Sequence, residues 1–298
     1  MKRIQTAVVP VPVCLIVVVF ICLIGVVCLT YSQDRKPMDT VSQALLVSTP
    51  HVNPIRRISQ TRDAAFDLVN ALSFLPYGNR ECIELAGALA AFAWPKGYQE
   101  AVDAHSEVLD IALKGGKKLE GHSGQVMEQQ MVYVKLAQLP FVKTICETGF
   151  NAGHSTLIWL TAKNGTKVYS FDLGNHGYAK TMAQHLQSQY PGRLTVTWGD
   201  STKTLPEFRK SHPEVTCDLI IVDGGHLVRI ATDDHSNFRR MASLENIVVF
   251  DDYPTRDHGH GKELAPVWES QIRGGTLAEL YACTDGKHCG VNRTLLTD

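Results

Sequence analysis

Thr144-Ile145-Cys146-Glu147-Thr148-Gly149-Phe150-Asn151-Ala152-Gly153-His154-Ser155 is the stretch whose reading decides the fold. A short apolar run meets an acidic residue, and glycines at 149 and 153 then lead into a helical pattern. That is a strand, a tight turn and the start of a helix. Glycine lets a backbone approach a ligand where a Cβ would collide, and a helix N-terminus offers free N–H groups. The spacing is Glu-x-Gly-x-x-x-Gly, not the Gly-x-Gly-x-x-Gly that seats a pyrophosphate on a helix dipole. A small polar ligand without a phosphate is expected here; an ordinary strand-to-helix turn is the alternative.

Toward the C-terminus the rhythm alternates. Short apolar runs at 142–147, 167–172, 194–199, 218–223 and 246–250 read as strands, and 154–163, 177–189, 202–210 and 227–241 read as the helices between them. Apolar strands separated by helices make a parallel sheet covered on both faces, and right-handed crossovers give a doubly wound α/β fold. Runs at 276–283 and 291–297 read as a closing antiparallel hairpin, which brings the expected sheet to seven strands. The α/β domain is placed at 141–298.

Toward the N-terminus, amphipathic patterns at 60–75, 80–93, 98–114 and 122–138 predict a helical cap over 59–140, covering the sheet and one side of a substrate mouth. Residues 30–58 are polar and punctuated by Pro37, Pro50 and Pro54, which reads as a stalk. After a short tail at 1–6, residues 7–29 carry no charge. That run is long enough to span a bilayer as a helix and longer than a signal-peptide core, so a retained transmembrane signal anchor is expected. Lys2 and Arg3 before it are balanced by Arg35 and Lys36 after it, which leaves the orientation open. The sequons Asn164-Gly165-Thr166 and Asn292-Arg293-Thr294, both expected on surface turns, favour a lumenal (endoplasmic reticulum or Golgi) or extracellular domain over a cytosolic one.

The 298 residues are 44% hydrophobic and 20% charged, ordinary for a chain with a buried core. A formal net charge of −1 with no basic run gives no electrostatic footprint for nucleic acid. Three of eight cysteines, Cys14, Cys22 and Cys28, fall in the anchor, and no C-x-x-C pair marks a zinc site. Cys283 and Cys289 bracket a turn-rich loop and either close a local disulfide or stand as two free thiols.

Open α/β sheets bind ligands at the carboxyl ends of their strands. Here those ends are Glu147, then Asp172, then Gly199-Asp200-Ser201, then Asp223-Gly224-Gly225-His226, then Asp251-Asp252. One such acid commonly caps the next helix; a series of five is not a capping coincidence. Asp172 stands twenty-three residues beyond Gly149, where an acid at the end of the second strand accepts both hydroxyls of a ribose. With no phosphate site, the nucleoside ligand is S-adenosylmethionine (SAM) rather than NAD.

At this point the series ETGFNAGHS, FDLG, WGDSTKTLP, IVDGGH and VVFDDYP resembles the class I SAM-dependent methyltransferases, in particular the catechol O-methyltransferase-like branch, over about residues 120 to 298. The resemblance implies that Glu147, Gly149, Gly153 and Ser155 belong to the methionine side, that Asp172 takes the ribose, and that Asp200 with Ser201 lies against the adenine. It also implies a divalent cation held by Asp223, Asp251 and Asp252, an oxygen-only set that suits Mg²⁺ and not zinc. Asp251 and Asp252 simply opening a loop is the alternative.

Two departures stand out. Asp-Asp replaces the Asp-Asn of the catechol enzymes, and His226 replaces their lysine, as in the metal-dependent sugar O-methyltransferases that the chain also resembles at Asp-Gly-x-His. A histidine titrating near pH 6.5 suits a general base for an acceptor hydroxyl. Arg256, His258, His260 and Lys262 follow the expected ligands as acceptor-side or merely solvated residues. The function expected is transfer of a methyl group from SAM to a hydroxyl of a small molecule or glycan by a membrane-anchored enzyme. The alternatives are a catalytically silent SAM-fold module for protein interaction and, less favoured, an NAD-dependent oxidoreductase.

Overall fold

The computed structural model describes residues 79–80, 92–114, 118–251, 261–283 and 290–294. The expected anchor at 7–29, the stalk and the cap helix at 60–75 lie outside these residues, and among the described residues no helix is long and apolar enough to cross a membrane.

Eight strands form one sheet: β1 (Asn79–Arg80), β2 (Thr144–Thr148), β3 (Lys167–Asp172), β4 (Leu194–Trp198), β5 (Cys217–Val222), β6 (Ala242–Phe250), β7 (Leu277–Cys283) and β8 (Gly290–Thr294). Their order is β1-β7-β8-β6-β5-β2-β3-β4. β6-β5-β2-β3-β4 are parallel neighbours, whereas β8 runs antiparallel to both β6 and β7. The eighth strand, β1, is a two-residue edge piece parallel to β7, too short to leave an apolar run. It occupies the start of the stretch expected to be a helix at 80–93, and residues 92–93 are not helical either.

The helices are α1 (Tyr98–Ala112), α2 (Met127–Ala137), α3 (His154–Ala162), α4 (Ala179–Gln189), α5 (Ser201–Ser211), α6 (Val228–Arg239) and α7 (Gly261–Arg273). α1 begins after Gly97, which takes the left-handed conformation at φ 79°, and it buries Tyr98, His105 and Leu109 along one stripe. The run expected as one helix at 122–138 is instead a 3₁₀ turn, Ser123–Gln125, followed by α2. No helix was expected between residues 250 and 276; α7 forms there because Leu264, Val267 and Trp268, spaced three and four apart, bury one face.

The two faces of the sheet carry separate cores. Ile145, Leu219, Ile221, Ile247 and Val249 pack with α1–α4, while Cys146, Ile220, Val222, Val248 and Phe250 pack with α5–α7. That alternation is the period-2 signature of strands covered on both sides. On the second face Cys146 of β2 and Cys217 of β5, both fully buried, form a disulfide. The expectation concerned Cys283 and Cys289, and Cys289 lies outside the described residues. Asn164 sits in an exposed turn as expected, but Asn292 lies within β8, paired with Val248 and Glu279 on its two sides, rather than in a turn.

Candidate active site

The chain passes from β2 outward to β4 and then returns to β5 and β6 on the other side of β2. Such a reversal opens a crevice at the carboxyl ends of the strands. A cavity of about 240 Å³ lies there, lined by Thr148 and Gly149 at the end of β2, Phe171 to Leu173 at β3, Gly199 to Ser201 after β4, and Asp223 to His226 after β5. Six of the sequence candidates therefore meet: Gly149, Asp172, Asp200, Ser201, Asp223 and His226.

The two glycines serve the protein's own packing. Gly149 has φ 89°, and a Cβ on it would come within 2.9 Å of the Asp223 carbonyl carbon and closer still to its oxygen. A Cβ on Gly153, at φ 81°, would meet Leu186 Cδ1 and Phe150 Cζ, each at 2.8 Å. Gly153 is the N-cap of α3 and does not line the cavity.

Asp172 is held by the backbone around it. Its Oδ2 accepts from the Asn151 N–H at 2.9 Å, and its Oδ1 from the Gly174 N–H at 2.7 Å. A carboxylate has about four acceptor positions, so this anchoring leaves capacity for the two hydroxyls of a ribose. Asn151 was not anticipated. It has φ 50°, a conformation asparagine tolerates better than most side chains; its Nδ2 donates to the Gly121 oxygen at 3.2 Å, and its Oδ1 accepts from the Tyr178 hydroxyl at 2.7 Å. Its place between two glycines was the available signal.

Gly121 belongs to a segment that flanks the cavity. Glu120 Oε2 lies 3.1 Å from His176 Nε2, and His122, just after Gly121, stacks its ring on His154 at 3.7 Å. His105 lies edge-on to His154 at 5.2 Å and 5.9 Å from His185. Burial, reinforced by the charges of His185 and His122, lowers His105 to about 4. Burial and the charges of His122 and His105 lower His154 to about 3. His122 and His185 are lowered by burial as well. Burial thus favours the neutral form of all four rings.

After β4, Asp200 caps α5, accepting from the Thr202 hydroxyl at 2.7 Å and the Thr202 N–H at 3.0 Å, which keeps its carboxyl below the usual range. Beneath Gly224, burial pushes the fully enclosed Asp234 up to about 6.

A second, small cavity of about 10 Å³ adjoins the first and is lined by Asp223, His226 and Asp251 among others. That is room for about one water-sized species. Among the described residues no three His, Cys, Asp or Glu converge closely enough to hold a metal ion; Asp252, the third expected ligand, lies outside them. The two carboxylates present are donors of the kind a hard, partly hydrated cation takes.

Glu147 and Ser155 are placed differently from the expectation. Glu147 is buried; its carboxylate accepts from Ser155 Oγ at 2.8 Å, Trp159 Nε1 at 2.8 Å and Thr156 Oγ1, and it does not line the cavity. Burial raises its pKa against the pull of these donors. It anchors the first turns of α3 to the end of β2, and Ser155 is one of its donors. The donors at positions 155, 156 and 159 lie on one helix face, a pattern legible in HSTLIW.

A family model described as a methyltransferase domain matches residues 146–253. No curated protein sequence matches the chain. The fold is shared with the O-methyltransferase TomG from Streptomyces achromogenes, involved in tomaymycin synthesis and solved in complex with SAM, at 17% identity and a TM-score of 0.50, over 73% of this chain and 97% of that one. It is shared as well with the SAH-bound Podospora anserina methyltransferase PaMTH1, at 17% identity and a TM-score of 0.51, over 72% of this chain and 96% of that one. With the glycine turn, Asp172 and the capped helix gathered at one crevice, residues 146–253 match a methyltransferase domain and the chain has the fold of these two methyltransferases.

Proposed function

We propose that this protein is a cation-assisted O-methyltransferase acting on a hydroxyl of a small molecule or glycan that offers neighbouring oxygens. The observation that carries the reading is that Asp223 and His226 line both the larger cavity and the small one that Asp251 completes. Donor-side and acceptor-side groups thus share a wall. Asp172 binds the ribose hydroxyls, Asp200 and Ser201 border the adenine, and the Gly149 turn borders the methionine part. SAM supplies the methyl group as a sulfonium. Asp223, Asp251 and Asp252 would hold Mg²⁺ or a similar cation, which when bound supplies Lewis-acid polarisation of the acceptor hydroxyl. His226 takes the acceptor's proton as its oxygen attacks the methyl carbon and the carbon–sulfur bond breaks. Holding both substrates in line supplies much of the rate.

The uncharged run at 7–29 supports a membrane anchor. The Cys146–Cys217 disulfide and the exposed Asn164 sequon support an oxidising, lumenal setting for the domain.

The test is methyl transfer by the full chain from radiolabelled SAM to catechols and glycans, with Mg²⁺ or with EDTA, beside calorimetric titrations with SAM and NAD. SAM binding with EDTA-sensitive transfer is expected. Transfer that survives EDTA removes the cation from the reading, and SAM binding without transfer to any hydroxyl acceptor supports the silent module instead.

A further inference from the structure

Gln129, on the first turn of α2, is 2% exposed. Its neighbours along the helix, from Met131 to Ala137, are mostly buried apolar residues, so an amide here is an exception that the core does not require. Burying an amide costs free energy unless it is hydrogen-bonded. Both amide hydrogens have acceptors: Nε2 donates to Asp251 Oδ1 at 3.2 Å and to the Tyr133 hydroxyl at 2.9 Å. An ionised carboxylate only accepts, so Asp251 itself fixes which end of the amide faces it. The carbonyl end, Oε1, is buried with no hydrogen-bond partner among the described residues, and buried acceptors are rarely left so.

Asp251 is thereby tied at two points. Its N–H continues the β6–β5 ladder by donating to the Val222 oxygen at 3.1 Å, and its side chain is tied across to α2. The same amide reaches the frame under the cofactor turn, because the Tyr133 ring lies 4.4 Å from Trp159, whose indole donates to Glu147.

We infer that Gln129 is a positioning residue of the acceptor side: its amide sets the plane of the Asp251 carboxylate toward the small cavity shared with Asp223 and His226. This rests on the cation-assisted reading above. Partners behind metal ligands typically change metal affinity by about 10–100-fold when removed.

Mn²⁺ binding to the full chain, read by electron paramagnetic resonance, tests it, with calorimetric SAM affinity as the internal reference. Gln129→Met, close in shape but unable to donate, is expected to weaken Mn²⁺ binding by about 10-fold or more and to leave SAM affinity within a factor of about two. Gln129→Leu is the second variant should the methionine form not fold. Tyr133→Phe removes the other acceptor of the same amide and is expected to leave Mn²⁺ affinity in place, which a general loosening of α2 would not do. Wild-type Mn²⁺ affinity in a folded Gln129 variant, or an equal loss in Tyr133→Phe, overturns the role of Gln129 while leaving the cation reading standing. A wild-type chain that binds no Mn²⁺ in the presence of SAM overturns both.

Discussion

Replacing Gly149 by alanine isolates the closest backbone approach in the site. At φ 89° an L-residue is strained, and a left-handed conformation costs about 1–2 kcal/mol. The added methyl also meets the Asp223 carbonyl, a backbone group at the end of β5 that cannot rotate away as a side-chain tip would. Forcing an extra methyl into packed surroundings adds about 1–3 kcal/mol, for a total of about 2–5 kcal/mol. Gly165 is the control: its φ is 82° and nothing lies within 4 Å of its Cβ position, so Gly165→Ala should lose only the first component, about 1–2 kcal/mol. For a domain of this size each kcal/mol lowers Tm by about 2–4 °C, so thermal unfolding of the two variants separates strain from collision. The collision also displaces Asp223, so Gly149→Ala should lose Mn²⁺ and SAM affinity while Gly165→Ala keeps both. If the two variants melt together and Gly149→Ala binds like wild type, the close approach of β2 and β5 is not what the glycine is for.

Asp172→Ala should weaken SAM binding by a few kcal/mol, since hydrogen bonds to a charged group are worth about 1.5–3 kcal/mol each; unchanged affinity in a folded variant, measured by calorimetry, would place the ribose elsewhere. His226→Gln should bind SAM normally yet transfer methyl about 10²–10⁴-fold more slowly, and a wild-type rate with an unchanged pH profile would remove His226 as the base. Acid should weaken the fold through the histidine cluster. His105 and His154 are held neutral, so their contribution is complete above about pH 6.5 and is lost as the pH falls toward about 4 and about 3. Tm measured across that window should drop, and His105→Phe should flatten the decline; a Tm independent of pH there would deny the cluster that role.

The sheet and most of its helices were legible because apolar strands with polar ends leave a strong alternation, and three of the five strand ends, at Asp172, Asp200 and Asp223, line the crevice. What escaped was long-range or unusually short. β1 has two residues, and α7 hides its apolar stripe behind Gly261 and Pro266. Gly149 and Gly153 were visible, but their collision partners, the Asp223 backbone and the Leu186 and Phe150 side chains, come largely from other elements. Glu147 reads as a ligand-facing acid in the sequence, whereas Ser155 and Trp159 of α3 take up its carboxylate. Gln129 carries no local mark at all: its partner, Asp251, is 122 residues away.

The Cys146–Cys217 bond has a topological meaning for the cofactor half. Seventy-one residues separate the two sulfurs, and Asn151, Asp172 and Asp200 all lie between them. The groups that would grip the nucleoside therefore sit on a covalently closed ring whose two ends enter adjacent strands. Closing a ring of that length removes unfolded-chain entropy worth about 4 kcal/mol in the loop-closure picture. Because both sulfurs are fully buried, a reductant reaches the bond only after the sheet has opened. The linkage thus behaves as a latch: the native protein shields it, and a chain that has lost it must recover the cofactor half from an open strand.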